Sequence, residues 1–460
     1  MSSLSSTNRG KNLMISISGV RGTIPEGLDL DNILAFSKAF ATKTPGNKIV
    51  VGRDARPSGE FIESILTGVL LSYGKDVISL GVVPTPTVKA VVNATKSSGG
   101  VMISASHNPI QWNAFKFIGK SGFFFSQSEM NSIMQSIEAD SFEKPAFNPG
   151  SGIIYNPEEY IRLHIESVQN RVDVPTIRKR KFKVFVDAVN GGGSVVVPTL
   201  LESLGCKVIR HNCIPDGKFP RPPEPTLKAL AGSAKKMRSS GADIGFALDP
   251  DADRLVLISK ERGAISEELT LPLSIQSILP YRSSKSDSIV INLSTSFVIE
   301  DIIQPYGLKL LRSKVGEANV VEMMKKKKSI FGGEGNGGVI DPKINSFGRD
   351  SLSGIAHTLN VLARERCDLD TVLDRMPEVF MEKATLSAEG KVKSELFQRL
   401  KDNFSSKRID ESDGLRLEFD SSWIHVRSSN TEPIIRIIAE AKTKSDLKVI
   451  IEKTREIFTK

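Results

Sequence analysis

The chain has 460 residues, 39% of them hydrophobic and 25% charged, enough for roughly three domains or four small ones with real cores. No run approaches the ~18 apolar residues of a membrane span, the start Met1-Ser2-Ser3-Leu4-Ser5-Ser6 lacks an apolar export segment, and Cys206, Cys213 and Cys367 form no CxxC, so a cytoplasmic protein without disulfides, structural zinc or a membrane partner is expected. The net charge of +9 comes from dispersed basic residues with only 6% aromatics, which suits an anionic small substrate and argues against nucleic acid.

Short apolar strands alternate with helical patterns for most of the length, which predicts α/β layers. In Ser18-Gly19-Val20-Arg21-Gly22 the flanking glycines permit a tight turn that presents Arg21. A helix is predicted over residues 31–42 with Ile33, Leu34, Phe36 and Phe40 inward, then strands at 48–52, 77–83 and 101–104. The last strand runs into Ser104-Ala105-Ser106-His107-Asn108-Pro109, which delivers a hydroxyl at a strand end beside an imidazole and a proline. Adjacent side chains do not align for proton transfer, so Ser106 and His107 are not read as a nucleophile–base pair. In Phe115-Lys116-Phe117, strand alternation sends Lys116 away from both rings and toward the cleft where Ser106 emerges. Residues 142–157, rich in proline and glycine, read as a linker.

A second unit opens with a strand at 182–187, a turn at Asn190-Gly191-Gly192-Gly193 and a helix through Leu204. It closes with strands at 243–248 and 254–258, joined by Asp249-Pro250-Asp251-Ala252-Asp253-Arg254. Alternate carboxylates in an extended chain converge on one side, and three hard oxygen donors suit Mg²⁺, which leaves room for phosphate. An EF-hand is excluded, because Arg254 stands where its loop needs glycine and Lys260 where it needs glutamate.

A third unit runs from Ser259 to about Arg366. Its run Lys325 to Lys328 follows an apolar helical stretch and reads as a solvated helix end. Gly332-Gly333-Glu334-Gly335-Asn336-Gly337-Gly338 contains a GxGxxG pattern, yet no helix opens after it, so dinucleotide binding is not expected. A glycine-rich loop with one Glu and one Asn suits sugar hydroxyls instead. The last section differs: strands at 423–427 and 434–438 flank Arg427-Ser428-Ser429-Asn430-Thr431-Glu432-Pro433, an Arg, hydroxyl and amide cradle for phosphate. A final helix begins near Ser445, with Leu447, Ile450, Ile451 and Phe458 on one side.

Together, Gly19 to Gly22, Gly52-Arg53-Asp54-Ala55-Arg56-Pro57-Ser58-Gly59, Ser104 to Pro109 with Asn113 to Lys116, Asp249 to Arg254, Gly332 to Gly338 and Arg427 to Pro433 resemble, in order, the motifs of the α-D-phosphohexomutase superfamily. The resemblance implies three related α/β/α domains with mixed sheets (1–150, 151–257, 258–368) and a smaller C-terminal α+β domain (369–460) resembling a TATA-binding-protein fold. It implies that Ser106 carries a phosphoryl group, that Asp249, Asp251, Asp253 and Ser106 hold Mg²⁺, and that Arg21 and Lys116 move protons. By the same resemblance Glu334 and Asn336 bind sugar, while Arg427, Ser429, Asn430 and Thr431 grip the non-reacting phosphate.

Many members read Gly-Glu-x-Ser-Gly-His in the sugar loop; here Asn336 replaces the Ser and Gly338 the His. With Asp216 to Pro225, this looks like the archaeal-type phosphoglucosamine mutases. The expected reaction interconverts a hexose or hexosamine 6-phosphate and 1-phosphate through a 1,6-bisphosphate, with glucosamine phosphate first and mannose or glucose phosphate as the alternative. A metal-dependent sugar phosphatase using the same serine and aspartates is the alternative from another class. A monomer or dimer is expected, and the last domain is expected to close as a lid, since its loop must reach Ser106.

Overall fold

The computed structural model describes residues 12–16, 19–143, 145, 149–150, 152–281, 284, 287–387, 393–428 and 434–459. Local signals act as expected at many element ends. Asp29 caps the helix Leu30–Lys43 by accepting from the Asn32 N–H at 2.8 Å, and Ile33, Phe36 and Phe40 are fully buried along one face. Burying each such side chain contributes about 1.5–3 kcal/mol. The helix Glu317–Lys327 ends on Lys325, Lys326 and Lys327, where cations favour the carbonyl end.

Four sheets follow one another along the chain. In spatial order the first is Leu13–Ser16, Gly19–Thr23, Trp112–Gly119, Gly99–Ile103, Lys48–Arg53, Asp76–Val82 and Ile153–Ile154. The last of these comes from the predicted linker and pairs in parallel with Asp76–Val82. The second sheet is Gly263–Ala264, Leu255–Ser259, Ile244–Leu248, Lys183–Asp187 and Lys207–His211; the third is Lys309–Ser313, Ser288–Asn292, Phe331–Glu334 and Gly338–Ile340. Each of the three has a parallel part and one side that turns antiparallel. The fourth sheet, Phe380–Ser387, Ile434–Ala441, Ser422–Ser428, Leu415–Glu418 and Arg408–Asp410, is antiparallel throughout. With the helices Lys393–Asn403 and Lys444–Thr459 it makes a smaller α+β domain.

This topology places the chemistry. The polar loops after Gly99–Ile103, Ile244–Leu248 and Phe331–Glu334 each leave the C-terminal end of a strand in a parallel pair and return antiparallel to it. Ligands of open α/β sheets gather at such strand ends.

The first two sheets and the helix Ser351–Glu365 share a continuous core that includes Val88, Met102, Val184, Leu248, Leu352 and Leu359, while the strands of the third sheet pack into cores around Ile289 and Phe331 and around Val290 and Ile340. The last domain has its own core, including Leu400, Leu417, Ile437, Leu447, Ile450, Ile451 and Phe458. It docks through polar contacts. Buried Glu440 accepts from the Phe297 N–H at 2.9 Å, from Trp423 Nε1 at 2.7 Å and from the Ser296 hydroxyl, while Arg416 donates to the Leu293 carbonyl. Glu440→Ala strands three donors, two of them buried, and is expected to cost about 3 kcal/mol or more. Urea denaturation followed by Trp fluorescence checks this, and an unchanged midpoint contradicts the latch. Among the described residues, no helix is long and apolar enough to cross a membrane.

Candidate active site

Ser106 sits just past the strand Gly99–Ile103 with φ of +52°, a left-handed conformation that is strained for a residue with a side chain and persists only where the surroundings enforce it. The enforcing groups are visible. Ser104 Oγ accepts from the Ser106 N–H at 2.9 Å and donates to Asp54 Oδ2 at 2.5 Å. Arg56, fully buried and paired with Asp54 at 3.0 Å, donates to the carbonyls of Asn108 at 2.8 Å, Pro109 at 3.1 Å and Ser106. The Ser106 hydroxyl then points at the second domain and donates to Asp249 Oδ2 at 3.0 Å. His107 Nδ1 lies 3.4 Å from that hydroxyl. Arg254, burial and Arg21 push its imidazole down to about 2, so it stays neutral at physiological pH.

Asp249, Asp251 and Asp253 are fully buried, with carboxylate oxygens all within 4.8 Å of one another. They converge, but not by strand alternation. The loop is a turn in which the Ala252 N–H donates to the Asp249 carbonyl at 3.0 Å, and Ala252 has φ of +51°. A two-residue hydrogen-bonded reversal, which periodicity alone does not signal, brings the side chains together. Lys116 pairs with Asp251 at 2.5 Å and Arg349 with Asp253 at 2.5 Å. Burial and the two neighbouring carboxylates hold Asp249 well above the usual carboxylate range, whereas Lys116 holds Asp251 below it despite its burial. Asp251 Oδ1 and Asp253 Oδ1 are buried without a hydrogen-bond partner. Orphaned, converging, anionic oxygens are the donor set of a hard divalent cation.

Lys116 keeps the strand geometry expected of it, since Phe115 and Phe117 are in the core on the other face. Arg21 does not: it lies within the strand Gly19–Thr23, paired to Ala114, and not in a tight turn. The neighbouring glycine serves close packing instead, because a Cβ at Gly19 (φ +118°) would meet the Phe115 carbonyl oxygen at 2.0 Å. Arg21 donates to Asn108 Oδ1 at 3.1 Å, toward the serine loop.

Glu334 ends the strand Phe331–Glu334, its Oε1 accepting from Asn292 Nδ2 at 2.8 Å and the Gly316 N–H at 2.9 Å. Arg427 stands directly opposite Arg436 across two antiparallel strands. Opposed like charges destabilise a sheet unless an anion lies between or above them. Two adjoining cavities of about 360 and 490 Å³ gather these groups. The first is lined by Arg21, Ser106, Lys116, Glu334, Asn336, Arg427 and Arg436; the second shares five of these and adds Glu224, Glu268 and Lys383. Ser429, Asn430 and Thr431 lie outside the described residues.

Models of phosphoglucomutase/phosphomannomutase domains match in order: α/β/α domain I at residues 14–144, domain II at 162–263, domain III at 270–380 and the C-terminal domain at 382–457. The chain belongs to the α-D-phosphohexomutase superfamily. It is a phosphohexomutase, an isomerase that relocates a phosphoryl group on a hexose. A phosphoglucomutase/phosphomannomutase of Thermococcus kodakarensis is 35% identical over 94% of this chain and 96% of its own. A phosphoglucosamine mutase of Methanocaldococcus jannaschii is 32% identical over 93% and 96%. A phosphoglucomutase/phosphomannomutase family protein of Burkholderia thailandensis has the same fold, with a TM-score of 0.83 at 25% identity over 96% and 97%.

Three arginines of this phosphohexomutase site carried no predicted role. Arg56 sits inside a motif that supported the resemblance, but its task depends on carbonyls some fifty positions away. Arg436 could have been found from strand register, being the residue opposite Arg427. Arg349 touches carboxylates from three separate segments, and no local pattern marks it.

Proposed function

We propose that this phosphohexomutase is a phosphoglucosamine mutase, interconverting glucosamine 6-phosphate and glucosamine 1-phosphate. The reaction type rests on one observation: a cavity in which the Ser106 hydroxyl, bonded to Asp249, shares its walls with the opposed pair Arg427 and Arg436. The amino sugar is supported by the names of relatives from Methanopyrus kandleri and Methanocaldococcus jannaschii. The name of the Thermococcus kodakarensis relative favours mannose and glucose phosphates as the second reading.

Ser106 as a phosphoserine would carry about −1.5 to −2 charges. Asp249, Asp251 and Asp253, with the phosphoryl group on Ser106, are the residues that would hold Mg²⁺, which supplies charge neutralisation at phosphoryl oxygens. Phosphoryl transfer asks the protein chiefly for position and electrostatics. The free C1 hydroxyl of the 6-phosphate attacks phosphorus; its O–P bond forms as the Ser106 Oγ–P bond breaks, leaving a 1,6-bisphosphate. The bisphosphate turns over, its 6-phosphoryl group returns to Ser106, and the 1-phosphate leaves. Lys116 and Arg21 line the Ser106 cavity and are assigned the proton taken up in one step and returned in the other. Glu334 and Asn336 hold sugar hydroxyls. Arg427, with Ser429, Asn430 and Thr431, grips whichever phosphate is not reacting. The last domain, with its separate core, closes over the substrate.

Side-by-side turnover of the 6-phosphates of glucosamine, mannose and glucose tests the substrate. The expected kcat/KM for glucosamine 6-phosphate exceeds the others by about tenfold or more, a difference of about 1.4 kcal/mol in transition-state binding. Equal or reversed preference replaces this assignment with the second reading.

A further inference from the structure

Gly338 stands where the family pattern carries a histidine, and the space of that side chain is already taken. A Cβ at Gly338 would lie 2.4 Å from Arg349 Cδ and 2.8 Å from its Cγ. Arg349 enters from the loop before the helix Ser351–Glu365 and spends its guanidinium on three carboxylates. Its Nη1 meets Glu334 Oε2 at 3.1 Å, Nη2 meets Asp253 Oδ2 at 2.5 Å, and Nε meets Glu317 Oε2 at 3.3 Å. Glu317 also pairs with buried Lys89. The next residue, Asp350, anchors the loop by capping that helix and bonding His164 Nε2 at 2.9 Å and the Ser346 hydroxyl at 2.8 Å.

The consequence falls on Glu334. Its Oε1 is fixed by Asn292 and the Gly316 N–H, so Arg349 fixes the second oxygen and completes the orientation of the carboxylate. The same planar fork holds the third aspartate of the metal loop. A point-charge ammonium could not reach both at once. We propose that Arg349 is a positioning residue of the mutase reaction: it occupies the place vacated at Gly338 and locks the sugar loop to the metal loop. This rests on the function proposed above, in which Glu334 holds the sugar and Asp253 the cation.

Charge and geometry are separable by substitution in the full-length enzyme, with kcat/KM for glucosamine 6-phosphate and Mn²⁺ affinity without sugar as the readouts. Arg349→Met removes a cation beside Asp253, so Mn²⁺ should bind about tenfold tighter while kcat/KM falls about 100-fold. Arg349→Lys keeps the charge and loses the fork: Mn²⁺ affinity should stay within about threefold of wild type, with kcat/KM still down about tenfold or more. Gly338→Ala, whose Cβ would displace the Arg349 stem and also lie 2.9 Å from Asn336 Oδ1, should lower kcat/KM as well. A kcat/KM within threefold of wild type in Arg349→Met overturns the proposal. Weaker Mn²⁺ binding in Arg349→Met overturns it as well, since a structural cation whose loss collapses the site gives that result. Absence of turnover in wild type refutes the mutase reading instead, and leaves the Mn²⁺ arm to judge the bridge between the loops.

Discussion

Ser106→Ala will leave the protein folded and without mutase turnover. Removing a covalent nucleophile from an assembled site typically lowers kcat by roughly 10⁴-fold or more. Ser104 is the obvious substitute, and its surroundings disqualify it: it is fully buried, donates to Asp54 and accepts from the Ser106 N–H. Both serines border the cavity, but only Ser106 directs its hydroxyl at the aspartate loop. The two serines should therefore behave differently. Intact-mass analysis after treatment with a hexose 1,6-bisphosphate should find one phosphate-sized increment in wild type and Ser104→Ala, and none in Ser106→Ala. Phosphorylation retained in Ser106→Ala, or turnover within tenfold of wild type, would sink the phosphoserine mechanism.

Chelation of divalent ions is expected to have the second largest effect. Three buried carboxylates meet Lys116 and Arg349, and two carboxylate oxygens have no hydrogen-bond partner among the described residues, Arg254 standing 3.9 Å from one of them. A buried anionic oxygen without a partner is costly, and Asp249 answers by holding its proton well above the usual carboxylate range. A divalent cation relieves that cost, so dialysis against a chelator should reduce turnover by about 10³-fold or more, and Mg²⁺ should restore it. Binding to the native state alone also raises stability: about 1.4 kcal/mol at tenfold over Kd, or about 3–6 °C in Tm for a domain of 150–250 residues. Full activity after exhaustive chelation, with a Tm indifferent to Mg²⁺, would mean that the aspartates serve another purpose.

How far the sequence reaches differs from residue to residue. Lys116 was legible, because strand alternation between two apolar rings is a local rule and the rings are indeed in the core. The aspartate loop was legible in content but not in form. Three carboxylates at alternate positions pointed to a cation, yet the turn at Ala252 that gathers them depends on a left-handed residue no propensity would choose. Arg21 was placed near the site for the wrong local reason. Gly19 makes room for the Phe115 carbonyl and Gly22 for the backbone of Gly27 and Leu28, and the strand pairing of Arg21 with the segment around Ala114 is a contact across more than ninety positions.

The sequence by itself determined the layers, the loops and the chemical character of each loop, because these depend on periodicity, on glycine and proline, and on side-chain chemistry. Tertiary structure decided which groups meet: that Ser106 and not Ser104 faces Asp249, that Arg56 holds the serine loop in a strained turn, that Arg436 doubles Arg427, and that Arg349 fills the space beside Gly338. The physical reason is range. Hydrogen bonds and ion pairs act over a few ångströms, and the residues that share them here lie far apart in sequence, many on separate sheets, and meet only once the strands pair and the domains pack.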